Sequence, residues 1–405
     1  MRTRLVVLSL ITLAGLAACN PGHGKHTQKH LLGAMERQNA MKAGNEYEQA
    51  RQSYLAGELE KADKFINRCI QLKPDVPKSY ILKGRIMIEL SDLEQALLAF
   101  QQAEALDPAN IDAQYYQGIV YERFAQSDKA LKHFSAAADA EPANPQYAIA
   151  VAETMIDMGN LDEAEKFLTS RAASFEHSAG IKQTLGHIAM LRKDTEAAVK
   201  LFNEARLLAS DDQSILEDLI QAQIQSERFA DAEFNLSRLL KMKGNAGRRD
   251  LLHFRAKCLS KLDRPLEARD VLIELTTSDE GQRDVQAWIE LGNVCFAIRD
   301  MNRSRQAWQR IVAIAPHRHE GWMLKALYQR RTGDLEGALK TVDRAIERRG
   351  TSVDPLVLEG LILSELGRAE EARAAFAAAL EEQPEDPAAR SGLANVIDDA
   401  TGDGR

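Results

Sequence analysis

The feature that most constrains this chain is a repeat. Alanine recurs at one constant interval at Ala62, Ala96, Ala130, Ala164, Ala198 and Ala232, and the column continues through Ala268, Ser304, Ala338 and Ala372. Seven of the nine intervals are identical; the two longer ones flank the seventh unit, the first absorbing part of the Gly- and Lys-rich stretch Lys241 to Arg249. Four positions after each small residue stands a large apolar one: Ile66, Phe100, Phe134, Leu168, Phe202, Leu236, Leu272, Trp308, Val342 and Phe376. Twelve before it a second small residue is usual, at Ala50, Gly84, Gly118, Ala152, Gly186, Ala256, Gly292, Ala326 and Gly360, with Ile220 breaking the column in the sixth unit. Pro74, Pro108, Pro142, Pro316 and Pro384 form a further column. A period of this length is one supersecondary unit that buries its apolar face only by stacking on copies of itself.

Helix pairing accounts for the columns. Small residues at two fixed positions let antiparallel helices approach closely, and the apolar residue four later lies on the same face one turn on. Proline ends the second helix because it has no amide donor and restricts the residue before it. In the second unit the first helix is predicted from about Lys78 to Leu90. Asp92 then caps the next, with Gln95 as its capping-box partner. Gly159, Gly333 and Gly367 supply the intervening turn in other units. With 45% hydrophobic and 28% charged residues and 11 prolines among 405, the composition favours helices and excludes a disordered chain.

These residues resemble the tetratricopeptide repeat, a helix-turn-helix unit of the same period. The resemblance covers residues 43–386, about ten units, of which the fourth, sixth and seventh match least. It implies an all-α fold: a right-handed α-solenoid with an N-terminal helix over 31–42, a capping helix over 387–399 and a tail over 400–405. In the family the first helices line a concave surface that holds a segment of another protein. Carried over unit by unit, that surface comprises Tyr47, Arg51 and Tyr54, then Arg85, then Tyr115, Glu122 and Arg123. Tyr and Arg combine apolar area with directed hydrogen bonds, as interface hot spots do. The Lys/Asn pattern of the chaperone-binding subtype is not reproduced; Asn293 stands alone in the eighth unit.

The N-terminal segment reads differently. Arg2 and Arg4 precede a mostly apolar stretch from Leu5 to Leu16, as in a secretory signal peptide over 1–18. The stretch is shorter than the roughly 20 residues that span a bilayer. Leu16-Ala17-Ala18-Cys19 resembles the bacterial lipobox, which implies a mature chain lipidated at Cys19, held in the cell envelope and delivered to the outer membrane facing the periplasm. Residues 19–30 read as a polar tether with incidental His23, His26 and His30.

No nucleophile-elbow, phosphate-loop, zincin or paired-cysteine motif occurs, so a non-enzyme without cofactor or metal is expected. His317 and His319 fall in an inter-unit loop, and His187 on an inner face. Cys69 reads as a small packing residue, whereas a Cys258–Cys295 bridge is conceivable only if their helices approach unusually closely. The net charge of −8 argues against nucleic acid. Lys241 to Arg349 nevertheless carries 22 Lys/Arg against 15 Asp/Glu, and the chain from Gly350 onward 4 Arg against 12 Asp/Glu. The expected function is a membrane-anchored scaffold that binds proteins within an envelope assembly for pili or secretion, outer-membrane biogenesis or polysaccharide export. The alternative is direct polysaccharide binding, for which Trp288 and Trp322 would supply stacking faces while Trp308 fills the core column.

Overall fold

The computed structural model describes residues 25–171 and 174–401, and among them every regular element is helical. The chain divides into two compact units between Ile188 and Ala189. The first holds the hairpins α1 (Lys25–Leu55) with α2 (Leu59–Leu72), α3 (Pro77–Glu89) with α4 (Leu93–Leu106), α5 (Ile111–Arg123) with α6 (Ser127–Ala140), and α7 (Pro145–Asp157) with α8 (Leu161–Ser170). The division falls inside α9 (Ala179–Leu191). The second unit begins with α10 (Thr195–Leu208) and continues through α11 (Gln213–Gln225), α12 (Phe229–Leu239), α13 (Arg249–Lys261) and α14 (Pro265–Thr277). It goes on with α15 (Val285–Ala297), α16 (Met301–Ile314), α17 (His319–Arg331), α18 (Leu335–Ile346), α19 (Asp354–Glu365) and α20 (Ala369–Glu382), and closes with α21 (Pro387–Thr401). Helices pack chiefly on their chain neighbours, so the apolar interior is a succession of small cores with no common centre.

Expected boundaries are met closely in the second hairpin, where the Asp92 side chain accepts from the Gln95 backbone amide at 3.1 Å, while the Asp92 amide donates to Met87 O and not to a Gln95 side chain. The N-terminal division differs. In place of a tether to residue 30 and a separate helix over 31–42, α1 runs unbroken for 31 residues into the first repeat. No proline or left-handed residue interrupts it. At 1.5 Å per residue it is about 46 Å long against about 21 Å for α2, so its first half projects past its partner and leaves Leu31, Leu32 and Met35 exposed. The signal peptide, Cys19 and residues 402–405 of the tail lie outside the described residues. The capping helix is present as α21, which lays Ala389 and Val396 against the last hairpin.

Every hairpin turn places one residue in the left-handed region, at the same column: Gly57, Ser91, Ala125, Gly159, Lys193, Glu227, Asp263, Arg299, Gly333 and Gly367. The next amide reaches back to close the helix, as Asp92 N does to Met87 O at 2.9 Å and Gln126 N to Tyr121 O at 2.9 Å. Six of the ten are not glycine and carry the cost of a Cβ there. Replacing Ala125 or Ser91 with glycine is therefore expected to stabilise the first unit by about 0.5–1 kcal/mol each, read as a raised thermal midpoint. A lowered midpoint in both would show that these turns are not strained.

The two small-residue columns meet each other's apolar partners. A Cβ on Gly84 would lie 2.4 Å from the Phe100 ring, one on Gly118 2.5 Å from Phe134, and one on Gly360 2.7 Å from Phe376. In four hairpins where the later position is aliphatic the earlier one is alanine: Ala50 with Ile66, Ala152 with Leu168, Ala256 with Leu272, Ala326 with Val342; the sixth instead sets Ile220 with Leu236. Outside the sixth, these hairpins thus hold their side-chain volume nearly constant across the pair. The eighth departs from this. Opposite Gly292 stands Leu324, not the expected Trp308; Trp308 is only half-buried and lies beside Tyr328 with 6.3 Å between ring centres.

The two lengthened intervals resolve into inter-hairpin loops. After α12, Gly244 and Gly247 take left-handed conformations, and buried Asn245 donates to Leu239 O at 3.1 Å and Gln213 Oε1 at 2.8 Å. After α14 the extra length forms a single 3-10 turn, Gly281–Arg283, with Gly281 buried against the Leu275 carbonyl.

Candidate protein-binding surface

First-helix residues spaced i, i+4, i+7 share a face, and in α1 this brings Tyr47, Arg51 and Tyr54 together. Across from them α3 presents Lys78 and Arg85. The Lys78 ammonium stands 4.7 Å from the centre of the Tyr47 ring. The Arg85 guanidinium stands 5.1 Å from Tyr54 and 5.5 Å from Tyr116 of α5, so it lies among rings from the hairpins on either side. These side chains bound a groove of about 260 Å³, floored by Ile81 and Leu82 and closed at the α5 end by Asp112. Burial, followed by the charge of Glu48, raises the Tyr47 phenol above its ordinary value. Arg51 is exposed, its Nε donating to Glu48 at 3.0 Å.

The third hairpin is read less well from sequence. Tyr115 is a packing residue: its ring lies 5.0 Å from Tyr147 and 5.6 Å from Phe134, and its hydroxyl accepts from Gln146 at 2.9 Å. Arg123 directs Nη1 towards Ile88 O at 3.5 Å, near the C-terminus of α3. Glu122 does face outward, and beside it stand Glu153 and Asp157 of α7. Burial and Asp157 raise the Glu122 carboxyl above its usual value; burial and Glu122 raise that of Glu153, with His187 of α9 opposing them. All three carboxylates keep an exposed side, while the helices behind them hold water off the other. Lys78 and Tyr116 join the surface from positions outside the expected columns, whereas Glu153 and Asp157 hold the columns of Arg85 and Arg123 in the fourth hairpin, beyond the three that supply the expected surface.

The second unit carries an ion network between successive first helices. Asp284 caps α15, accepting from the Ala287 amide at 3.0 Å, and also receives Arg249 and His253 of α13, with His253 Nε2 at 2.9 Å. Glu290 approaches the other ring nitrogen at 4.0 Å. Glu290 and Asp284 together raise the His253 pKa, against the opposing effect of burial. Protonated His253 therefore contributes stability that is fully present below the free imidazole value of about 6.5. That contribution is lost as pH rises through the higher folded value. Asp284 and Glu290 are held low and stay charged throughout. The second unit is expected to be more stable at pH 6 than at pH 8.5, a difference that His253→Gln reduces; an unchanged difference in the variant would dismiss this assignment.

The remaining candidates are structural. Cys69, Cys258 and Cys295 are free and buried, and burial pushes the Cys258 and Cys295 thiols up to about 11, which keeps them protonated at neutral pH. Among the described residues no group of three or more His, Cys, Asp or Glu is placed to hold a metal ion. His319 faces its neighbour Glu320 at 3.5 Å. Trp322 is 8% exposed, donates to Pro316 O at 2.9 Å and is surrounded by Lys325, Arg344 and Arg348. The indole nitrogens of Trp288 and Trp308 are buried. Among the described residues no helix is long and apolar enough to cross a membrane.

Comparison with known proteins agrees with this architecture. Two family profiles, each described as tetratricopeptide repeat, match the sequence, one at residues 123–183 and the other at 81–148, 297–353 and 357–400. The unmatched stretch 184–296 contains both loops that lengthen the repeat. Over 269 residues the chain is 27% identical to the protein O-mannosyl-transferase TMTC3 of Homo sapiens, covering 64% of this chain and 28% of that protein. Over 202 residues it is 23% identical to the BBSome complex member BBS4 of Bos taurus, covering 50% of this chain and 38% of that one. The chain thus spans well under half the length of these relatives. A crystal structure of a tetratricopeptide repeat protein from Parabacteroides merdae aligns with a TM-score of 0.45 at 15% identity, covering 63% of this chain and 99% of the other. With just over half of the sequence inside the matched segments and helical hairpins following the repeat columns, the chain belongs to the tetratricopeptide-repeat family.

Proposed function

We propose that this chain is a non-catalytic scaffold, held to a bacterial envelope membrane through a lipid on Cys19, that gathers protein partners on the first-helix surface of its first unit. The observation that carries the binding role is the groove between α1 and α3, where Lys78 and Arg85 stand over tyrosine rings with apolar side chains beneath. An aromatic, cationic and partly apolar lining suits a protein segment better than a small substrate. The basic start, the apolar stretch and Leu16-Ala17-Ala18-Cys19 support the anchor. Two or three acyl chains, at about 0.8 kcal/mol per buried methylene, hold such a protein stably on a membrane. The tether then raises the local concentration of whatever the groove binds. The assembly served belongs to pilus or secretion machinery, outer-membrane biogenesis or polysaccharide export, with delivery to the outer membrane.

Two measurements test this. Cys19→Ser is expected to move the chain from the membrane fraction to the soluble fraction without changing its helical circular dichroism; continued membrane retention would overturn the anchor. Crosslinking in detergent-solubilised envelopes is expected to capture protein partners with the native chain and to lose most of that capture with Tyr54→Ala/Arg85→Ala. Equal capture by a folded double variant would overturn the surface.

A further inference from the structure

The first helices of the first unit carry a charge sequence of their own. Arg51, Arg85, Ile119 and Glu153 lie one repeat apart and hold the same position in four consecutive hairpins. Around this row the charges sort by end. Lys78 joins Arg51 and Arg85 at the α1–α3 end; Glu122 and Asp157 join Glu153 at the α5–α7 end. Half-buried Ile119 lies between. Among the described residues no carboxylate pairs with Lys78 or Arg85, whose contacts are aromatic. Nor, among them, does any Lys or Arg bridge to Glu122, Glu153 or Asp157, which crowd one another. Asp112 also lines the groove and His187 lies near Glu153, but among the described residues no ion pair neutralises Lys78, Arg85 or the three carboxylates, and each end adjoins a surface that a partner can reach.

We propose, building on the protein-binding reading of this surface, that the segment it takes up is charge-segregated. Carboxylates at one end of the segment meet Lys78 and Arg85, an apolar middle crosses Ile119, and Lys or Arg side chains at the other end meet Glu122, Glu153 and Asp157. Arg85 and Glu153 are two first-helix steps apart. At 8–10 Å per step and about 3.3 Å per extended residue, the charged ends of an extended segment stand about five or six residues apart. The arrangement selects against uniformly acidic or uniformly basic segments, because each sets like charges face to face at one end.

The test uses the full chain and four fluorescent peptides sharing one Leu/Ala middle of about six residues. Two carry a glutamate pair and a lysine pair at opposite ends, in the two chain orders; one carries glutamates at both ends and one lysines at both. One of the two segregated orders is expected to bind at least about tenfold tighter than the uniform peptides. In Arg85→Glu/Glu153→Arg, the preferred order is expected to switch to the other. A uniform peptide binding as tightly, an order preference that survives the exchange, or no binding by any of the four overturns the inference. Partner capture from envelopes by Tyr54→Ala/Arg85→Ala reports separately on the surface: its loss alongside a failed peptide test refutes only the charge order, whereas undiminished capture refutes the surface itself.

Discussion

Phe100→Ala is expected to destabilise the first unit by about 3–5 kcal/mol, the range for emptying a fully buried aromatic site. Phe100 has no exposed area, and its ring stacks on Tyr116 at 5.3 Å, so its loss also loosens the helix that carries a wall of the groove. The sharper experiment is the pair with Gly84. Gly84→Ala places a methyl 2.4 Å from the Phe100 ring and is expected to cost about 1–3 kcal/mol. Phe100→Leu on its own leaves a cavity. Combined, Gly84→Ala/Phe100→Leu reproduces the Ala152–Leu168 pairing of the fourth hairpin, and the double variant is expected to lose clearly less than the sum of the two single variants. Urea unfolding followed by far-ultraviolet circular dichroism measures all three. Additivity within about 0.5 kcal/mol would refute volume complementarity as the rule relating these columns.

Gly281→Ala is expected to produce the largest effect of any single added methyl group in the second unit, at or above the upper end of about 1–3 kcal/mol. A Cβ there would stand 1.8 Å from the Leu275 carbonyl oxygen, and the obstructing atom is backbone, which cannot rotate away as a side chain does. Relief requires opening the 3-10 turn that accepts the extra residues after α14. Asp284 follows directly, and with it the cap of α15 and the Arg249 and His253 contacts, so the damage extends into the neighbouring hairpin. Trp288, Trp308 and Trp322 all lie in this unit, so tryptophan fluorescence during unfolding reports on it. A variant with the native midpoint would show that the turn has room to spare.

Much of the site was legible, though unevenly. Tyr47, Tyr54 and Arg85 come from the repeat phase together with the resemblance to the family, which implies that the first helices line the binding surface, because a residue's column decides which side of a first helix it occupies. Tyr115 occupies the same column as Tyr47 yet is spent on packing, because Tyr147 and Phe134 crowd its ring, whereas the ring of Tyr47 meets the Lys78 ammonium. Trp308 shows the same limit: its column promises a core residue, but Leu324 holds the place opposite Gly292. A column records direction from the helix axis; it does not record which neighbour fills the space first.

Determined by sequence alone were the helical hairpin, its period, the columns of small and large apolar residues, and the cap at Asp92. All of these depend on residues within one repeat length, where local propensity and a single helix pair suffice. Left to the tertiary structure were the continuity of α1 past its partner, the six non-glycine turns forced into the left-handed region, and the placing of Arg85 among three hairpins. It also gathered the carboxylates of α5 and α7 at the end of the first unit opposite Lys78 and Arg85. Those features arise between repeats, where the geometry of stacking sets distances that no interval along the chain encodes.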